Sequence, residues 1–425
     1  MASTGKIVEV LFENTIETYE TQEQMLPLVD FHQPDGETMQ NSDNFIWQTV
    51  QQHAPIITGW DVTGNEQEII EETYPSVLGT PKNDFVQQRA DQMRTTKFWE
   101  DRGKASGMQQ ATELNKSITS AMATQGSMFY RSNATSGYDF ISEAQATMNE
   151  RQGMNNGRCF MLNDRDNKLF SSDLAARQTL QGRPESDAWS KGQIGSNVAG
   201  FDIYTGSFLT NLTGGAAVST TVTGNQSFKP EGGSVDATTG VATNVDYRVA
   251  VIPVAASAGY TIGDKVTIDN GGTPVESIGL ADKNGTGQAM TFTIVAKPSG
   301  TSISVYPKPI AADDGALTAT EAAYANINTV ILNAATVERV NSDATNKTNL
   351  FWDKSAVEVL GGTIPANLFA QFDGMKVISH TMKNGQEMYM VYDGNIATMN
   401  FRYRLFTWYG VTIKDPSRVG VAVTF

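Results

Sequence analysis

The sequence is poor in the residues from which redox and metal sites are built. Its 425 residues include one cysteine, Cys159, and three histidines that lie far apart, His32, His53 and His380. A single cysteine excludes a disulfide within the chain, and so few cysteines and histidines exclude a zinc cluster made of them. We therefore expect no metal site and no cofactor, and we expect Cys159 to be a small core residue.

Motifs that carry known chemistry are also missing. The sequence has no GxxxxGKS/T phosphate loop, no GxGxxG after a strand and no GxSxG nucleophile elbow. These absences predict a protein without a catalytic step. A hydrolase whose serine, histidine and aspartate converge from distant positions remains an alternative, because such a triad leaves no local motif.

Long hydrophobic runs are absent as well. No stretch approaches the roughly 18 apolar residues that a membrane-spanning helix needs. The apolar stretch 7–12 is too short, and too closely flanked by acidic residues, for the core of a signal peptide. We therefore expect no contact with a membrane.

Basic residues are nearly missing from the first fifth of the chain. Residues 1–80 contain 14 acidic side chains and one basic side chain, Lys6, whereas residues 81–425 contain 32 acidic and 30 basic ones. An acidic segment attracts basic partners and repels nucleic acid. The acidic end either serves such a partner or is simply a solvated surface.

Residues 4–26 have the pattern of an amphipathic helix. Four apolar residues follow helical spacing: Val8, Phe12, Ile16 and Tyr19. Four glutamates form a neighbouring acidic stripe: Glu9, Glu13, Glu17 and Glu20. A helix of this length is marginally stable in water, so we interpret it as an arm that docks on the rest of the protein.

The next two segments are predicted to be a hairpin and a long helix. Residues 45–50 and 68–74 indicate two strands joined by a long turn, which together form an extended β-hairpin. Residues 81–131 favour helix, with Asn83 or Asp84 as N-cap. Gly103 and Gly107 are expected to kink or break it, because glycine costs about 1 kcal/mol in a helix interior. The segment is therefore one strut or two successive helices.

The rest of the chain alternates between mixed and all-β character. Residues 132–221 indicate helices at 138–151 and 169–180 around a buried strand at 158–162. Residues 222–345 are rich in glycine and threonine, with short alternating runs between turns, which predicts an inserted barrel or sandwich. Its stretch 235–244 resembles an exposed hairpin loop. The mixed character returns over 346–425. An inserted β domain also leaves open a surface-binding module that recognises a glycan or receptor.

Several strings, in the same order along nearly the whole chain, resemble the coat proteins of P22-like short-tailed phages of enteric bacteria. Among them are Asn44-x-Ile46-Trp47, Gly59-Trp60-Asp61-x-Thr63, Asn83-Asp84-Phe85, Gln226-Ser227-Phe228-Lys229-Pro230, Pro307-Lys308-Pro309, Ala323-Tyr324-Ala325-Asn326, Thr348-Asn349-x-Phe351-Trp352 and Trp408-Tyr409-Gly410-Val411. No single string is decisive, but their shared order is.

This resemblance implies an α+β protein with the tailed-phage major capsid fold, which is also called Hong Kong 97-like. The fold would have a long spine helix, an extended β-hairpin, an N-terminal arm and an inserted all-β domain of immunoglobulin or telokin type. The implied parts are the arm (1–40), the hairpin or E-loop (41–80), the peripheral domain with the spine helix (81–131), the first part of the axial domain (132–221), the inserted domain (222–345) and the C-terminal axial and peripheral part (346–425).

The resemblance also implies partners and contact residues. The family's acid–acid–x–x–acid pattern, which binds the basic scaffolding protein, falls on Glu13, Asn14 and Glu17. Asn14 departs from the pattern, so scaffold binding is predicted at Glu13 and Glu17, with Glu9 and Glu20 as possible replacements for the lost charge. Contacts between neighbouring capsomers are expected from the loop near Asp236 and Asp246.

At the level of the particle, the resemblance implies a structural protein of the virion that assembles in the host cytoplasm. Its expected partners are further copies of itself in hexamers and pentamers, the scaffolding protein, the portal protein, and packaged double-stranded DNA without sequence-specific contact. Expansion of the shell on maturation is a further family expectation, with the arm and the spine helix as the moving elements.

Overall fold

The computed structural model describes residues 4–34, 45–50, 56, 58–64, 69–89, 95–132, 137–151, 157–177, 193–233, 245–342, 344–364, 376–395, 397 and 399–424. The chain divides into two compact units. Unit 1 consists of Met1–Ile46, Ser76–Thr119 and Glu358–Thr412, and unit 2 consists of Trp47–Pro75, Ser120–Val357 and Ile413–Phe425. Each unit therefore joins segments that are far apart in the sequence.

Five helices and 24 strands are formed by the described residues. The helices are α1 (Thr4–Gln22), α2 (Thr96–Gln125), α3 (Gly137–Glu150), α4 (Asp164–Arg177) and α5 (Ala319–Ala322). The strands are β1 (Asp30–His32), β2 (Phe45–Val50), β3 (Glu72–Val77), β4 (Lys82–Arg89), β5 (Met128–Ser132), β6 (Arg158–Leu162), β7 (Gln193–Val198), β8 (Phe201–Thr205), β9 (Asn211–Leu212), β10 (Ser219–Thr221), β11 (Ala250–Pro253), β12 (Lys265–Asp269), β13 (Glu276–Ile278), β14 (Gly285–Ala289), β15 (Phe292–Ser299), β16 (Ser302–Tyr306), β17 (Thr336–Arg339), β18 (Asn346–Asp353), β19 (Val357–Gly361), β20 (Lys376–Thr381), β21 (Glu387–Asn395), β22 (Asn400–Thr407), β23 (Tyr409–Ile413) and β24 (Val419–Thr424).

Unit 1 contains two sheets and most of the long helix α2. Strands β20, β21, β22 and β4 form an antiparallel sheet in that order. Strands β1, β19 and β23 form a smaller sheet, in which β1 runs parallel to β19. Helix α1 lies close against α2 at Gly103 and Gly107, and it buries an apolar stripe: Val8, Leu11, Phe12 and Tyr19. The predicted amphipathic arm helix is therefore confirmed, with its end at Gln22.

A mixed sheet with a dense aromatic core lies at the centre of unit 2. Its strand order is β5-β24-β18-β6-β8-β7, and β9 pairs with β18. The last strand of the chain, β24, lies between β5 and β18. Phe160 and Phe351 stack with their ring centroids 6.1 Å apart, and both are fully buried. The predicted helix at 138–151 is confirmed with its ends shifted by one residue, and the predicted strand at 158–162 is confirmed with the same ends.

The glycine- and threonine-rich region forms a closed barrel in unit 2. Its strands follow the order β10-β17-β12-β15-β16-β11. An antiparallel bridge between Val222 and Val254 joins the two outer strands, and Ala255 donates its N–H to the Thr221 carbonyl at 2.9 Å. Closure removes exposed strand edges. The interior is filled by a continuous apolar cluster that includes Ile252, Val266, Phe292, Ile303 and Val337.

The helix predicted over 81–131 was wrong in its first part and at its end, because it stops at Gln125 and Met128–Ser132 forms strand β5. Residues Lys82–Arg89 form strand β4, which pairs with β22 so that Lys82 lies opposite Thr407 and Arg89 opposite Asn400. Asn83 and Asp84 are therefore strand residues and not N-caps. Pairing with a strand far along the chain overrode the local helical pattern. The helix begins at Thr96 and is 30 residues long, which corresponds to about 45 Å.

The predicted break at the two glycines was also wrong. Helix α2 runs through both Gly103 and Gly107, and both are buried. A Cβ atom at Gly103 would lie 2.6 Å from the carbonyl oxygen of Leu11, and one at Gly107 would collide with the carbonyl oxygen of Thr15. The glycines allow the backbone of α1 to cross α2 closely, so they serve packing and not flexibility.

The prediction of a β-hairpin was correct, but its second strand lies further along the chain than predicted. Strands β2 and β3 pair with each other, as expected. The returning strand was predicted at 68–74 and lies at Glu72–Val77. Residues 51–55, 57 and 65–68 of the expected hairpin lie outside the described residues.

Candidate assembly surfaces

Three acidic residues of α1 lie on its exposed side, next to the buried stripe. Glu9, Glu13 and Glu17 are exposed and follow one another at intervals of four residues. The side-chain amide of Asn14 donates to the Val10 carbonyl of its own helix at 2.8 Å, so this side chain is turned towards the helix. The two predicted scaffold-binding residues, Glu13 and Glu17, therefore lie in one exposed acidic row.

Glu20 follows Glu17 by three residues on the same helix, but it is already paired, although the sequence offered it as a replacement for the missing charge. Its carboxylate forms an ion pair with Lys383 at 2.7 Å and accepts the Lys383 backbone N–H at 3.1 Å. These bonds lower the pKa of Glu20 below its ordinary value. Sequence reasoning missed this contact, although the Asn384–Gly385 dipeptide is a turn signal.

Glu23 follows the end of the same helix and is engaged as well. It accepts a hydrogen bond from the Asn384 side chain at 2.5 Å. Burial raises the pKa of Glu23 to about 6, against the opposing effect of that hydrogen bond. The end of the arm helix is therefore tied to the turn between β20 and β21.

Large apolar side chains are exposed on the segment that joins β2 and β3. Ile56, Trp60 and Ile69 each expose at least 77% of their surface. Asp61 accepts hydrogen bonds from the backbone N–H and the hydroxyl of Thr63, at 3.0 and 2.6 Å, which orders the turn beside Trp60. These side chains would lose exposed apolar surface if a partner covered them.

The two residues predicted for contacts between capsomers have different outcomes. Asp236 lies outside the described residues. Asp246 binds Arg248 of its own chain, with its two carboxylate oxygens 2.9 Å from Nε and 2.7 Å from an Nη atom. Much of the charge of Asp246 is therefore satisfied internally, and its role between capsomers stays a prediction.

Arg248 connects three parts of unit 2. Besides its pairing with Asp246, its guanidinium donates to the carbonyl oxygens of Ile413 and Lys414 at 2.8 and 2.7 Å. It also lies 3.7 Å from the centroid of the Tyr74 ring, within the range of a cation–π contact. Strand β3, the segment just before β11 and the end of β23 thus meet at one buried cation.

A second buried cation joins the barrel to the end of α2. The Lys265 ammonium is fully buried and donates to the Gly126 carbonyl at 2.5 Å and to the Thr293 hydroxyl at 2.9 Å. Gly126 follows the last residue of α2, whose terminal carbonyls favour a cation. Burial lowers the pKa of Lys265 to about 7, against the opposing effect of Asp264.

This lowered pKa predicts a specific pH dependence of stability. Between about pH 7 and the ordinary lysine value, the unfolded chain holds a proton at Lys265 that the folded chain lacks, so the free energy of unfolding should rise with pH. We expect Lys265→Met to remove a rise on the order of a few kcal/mol across this range. Urea unfolding from pH 6.5 to 9.5 measures it. Lys347→Met, on an exposed lysine of β18, is the control; equal slopes in both variants would contradict the prediction.

The described residues offer neither a metal-binding cluster nor an activated thiol. Within the described ranges, no group of three or more His, Cys, Asp or Glu residues could hold a metal ion. Cys159 is buried, as expected, and burial raises the pKa of its thiol to about 12, which disfavours the reactive thiolate. No helix among the described residues is both long enough and apolar enough to cross a membrane.

Comparison with known proteins gives a family match over nearly the whole chain. Residues 1–424 match the family model described as P22 coat protein, gene protein 5. Similar solved structures include one from Mycobacterium phage Che8 (TM-score 0.44, 11% identity, covering 94% of this chain and 90% of that chain). Another is the capsid of the cyanophage P-SCSP1u (TM-score 0.43, 9% identity, covering 94% of this chain and 86% of that chain). A third is the head of Helicobacter pylori bacteriophage KHP40 (TM-score 0.42, 8% identity, covering 93% of this chain and 86% of that chain). Because these TM-scores are low, the family match carries the assignment.

The resemblance recognised in the sequence, which implied the tailed-phage major capsid fold, is thereby confirmed at the level of the family. The described residues have the mixed α+β architecture expected for that fold, with a long helix, paired hairpin strands and a β barrel. The chain therefore belongs to the P22 coat protein family and is a major capsid protein of a bacteriophage.

Proposed function

We propose that this chain assembles with a basic scaffolding protein, as hexamers and pentamers, into the icosahedral shell that encloses the phage double-stranded DNA. Assembly would take place in the cytoplasm of the host bacterium, with the portal protein as a further partner and without sequence-specific contact to DNA. The observation that carries the scaffold interaction is the exposed acidic row of Glu9, Glu13 and Glu17 on a firmly packed arm helix.

The physical basis of scaffold binding is electrostatic. Carboxylates four residues apart on one helix face can meet basic side chains of a partner helix at the same spacing. Each exposed ion pair contributes about 0.2–1 kcal/mol and is screened by salt. Such a contact is strong enough in aggregate to guide assembly and weak enough to let the scaffold leave.

Contacts between copies of the chain have a different chemistry. The exposed side chains of Ile56, Trp60 and Ile69 would be covered by a second copy in a shell, which would remove apolar surface from water. The net charge over residues 81–425 is −2, so most of the chain offers little repulsion to self-contact. The barrel interior is filled by apolar side chains, so a glycan-binding module would have to use the outer surface of the barrel.

Charge reversal on the arm tests the proposal. We expect Glu13→Lys with Glu17→Lys to fold normally and to bind scaffold about 10-fold more weakly at low ionic strength, because two attractive pairs become repulsive. Binding and shell yield would be measured with purified scaffolding protein over a range of salt concentrations, with negative-stain electron microscopy to identify closed shells.

A matched control distinguishes an effect of the arm site from an effect of the change in net charge. Glu143→Lys with Glu338→Lys changes the total charge equally at exposed positions on α3 and β17. Binding and assembly of the control should stay close to those of the unaltered chain. If the arm variant assembled with unchanged yield and unchanged salt sensitivity, the assignment of the arm would be wrong.

A further inference from the structure

The turn between β20 and β21, residues 382–386, is a well-ordered structure that lies against the end of α1. Gly385 donates its N–H to the Met382 carbonyl and Met382 donates to the Gln386 carbonyl, both at 2.9 Å. The Asn384 side chain also accepts the Gln386 N–H at 2.9 Å. These bonds hold Lys383 at the tip of the turn, where 88% of its side chain is exposed.

Three side-chain contacts join this turn to the arm. The Lys383 ammonium lies 2.7 Å from the carboxylate of Glu20, and Asn384 donates to Glu23. The buried hydroxyl of Tyr19 donates to the Gln386 side chain at 2.7 Å. The turn thus neutralises one carboxylate of the arm and covers another.

The contact is incomplete in its buried part. One carboxylate oxygen of Glu23 and the side-chain nitrogen of Gln386 are buried and have no hydrogen-bond partner. Buried polar atoms without partners destabilise the arrangement that buries them. The turn is therefore held less tightly than its ordered geometry alone would indicate.

The arm helix itself has separate anchors. It crosses α2 closely at Gly103 and Gly107. The Asn115 side chain of α2 also accepts the Met25 N–H at 3.2 Å and donates to the Gln22 carbonyl at 3.3 Å. Opening of the 382–386 turn would therefore leave α1 docked.

We propose that the 382–386 turn is an internal competitor for the acidic face of the arm, with Lys383 in the place that a basic side chain of a partner takes. A partner that engages Glu13 and Glu17 would continue onto Glu20 by displacing Lys383. The bound turn would thereby weaken partner binding in the free chain. This inference rests on the proposed binding of a basic partner to the arm.

Linkage makes the proposal quantitative. If Lys383 is bound to Glu20 in most molecules, a competing partner can bind only the fraction of chains in which the turn is released. Its apparent dissociation constant is then the intrinsic value divided by that fraction. Removing Lys383 should therefore tighten binding. Conversely, a bound partner should release the turn by the same factor.

The binding test uses the full chain and a fluorescein-labelled helical peptide with lysines at intervals of four residues. Lys383→Ala should bind this peptide about 3–10-fold more tightly at low ionic strength, and the difference should vanish at high salt. Lys376→Ala is the matched control, because Lys376 is an exposed lysine of the adjoining strand β20. A control variant that gains as much affinity as Lys383→Ala would overturn the proposal, since the effect would then be one of net charge.

A double-mutant cycle localises the effect. Glu20→Gln removes the carboxylate that both cations would share, so Lys383→Ala should give no gain in that background. A full gain in the absence of the Glu20 carboxylate would also overturn the proposal.

A partner-free measurement separates failure of this inference from failure of the proposed function. The Lys383 N–H, which is bound to Glu20, should exchange with solvent more slowly in the free unaltered chain than in Glu20→Ala, which has no side-chain acceptor, and addition of the peptide should accelerate it. Equal exchange rates of the Lys383 N–H in both chains, or a rate that bound peptide does not increase, would overturn the proposal that the turn competes for the arm. If the peptide fails to bind any variant while the Lys383 N–H stays protected, the proposed function has failed, and the inference with it.

Discussion

Replacement of Arg248 by methionine is expected to lower the free energy of unfolding by about 3–5 kcal/mol, the range for removing one partner of a buried ion pair. Only 8% of the Arg248 side chain is exposed. Its loss leaves the Asp246 carboxylate without its cation and the carbonyl oxygens of Ile413 and Lys414 without these donors. Methionine restores some volume but none of these bonds. Urea unfolding of the purified chain, followed by circular dichroism, measures the change.

Lysine at this position should recover only part of the loss. The planar guanidinium of Arg248 reaches Asp246, two carbonyl groups and the face of Tyr74 at once, and an ammonium group cannot reproduce that geometry. Arg248→Lys is therefore expected to remain clearly destabilised.

The surface pair of Arg402 and Asp393 is the matched control. Its atoms lie 2.9 Å apart, but 42% and 40% of the two side chains are exposed. Arg402→Met should lower stability by at most about 1 kcal/mol, as is typical of exposed pairs. If the two arginine variants were equally stable, Arg248 would not have the structural role assigned to it.

Introduction of a single methyl group at Gly107 is expected to loosen the arm. Alanine favours helix over glycine by about 1 kcal/mol, so local propensity alone would predict stabilisation. The new Cβ would instead collide with the carbonyl oxygen of Thr15, a backbone atom that cannot rotate away. Overpacking of this kind costs about 1–3 kcal/mol. We expect a net loss of stability and faster proteolysis within residues 4–22.

Ala105→Gly tests whether the effect belongs to the crossing. Ala105 lies on the exposed face of α2 between the two buried glycines. This substitution should cost about 1 kcal/mol through helix propensity while the arm keeps its resistance to protease. If Gly107→Ala proved as stable as the unaltered chain with an equally protected arm, the close crossing would not limit the arm's position.

Elements with a strong local pattern were predictable from the sequence. The apolar stripe and acidic row of α1, the buried strand at Arg158–Leu162 and the alternating strands of the barrel each follow from periodicity within a short window. Closure of the barrel was not predictable in the same way. It depends on the bridge between Val222 and Val254. Composition alone does not distinguish a barrel from a sandwich.

Errors arose where distant segments decided the local state. Residues Lys82–Arg89 have a sequence compatible with a helix, and they form a strand because β22 offers an open edge to pair with. From local sequence alone, Gly103 was predicted to kink or break the helix. Its role became apparent only when α1 was placed across it, at a distance that excludes any side chain.

The sequence by itself determined the family, the acidic character of the arm and the exposed position of Glu13 and Glu17, because these depend on residue order and helical spacing. Only the tertiary structure decided which charges are free for a partner. Glu20 is bound by Lys383, more than 300 residues away along the chain, and Asp246 by a neighbouring arginine that is held in place by the carbonyl groups of Ile413 and Lys414. The reason is that ion pairing depends on distance in space, which local periodicity does not encode.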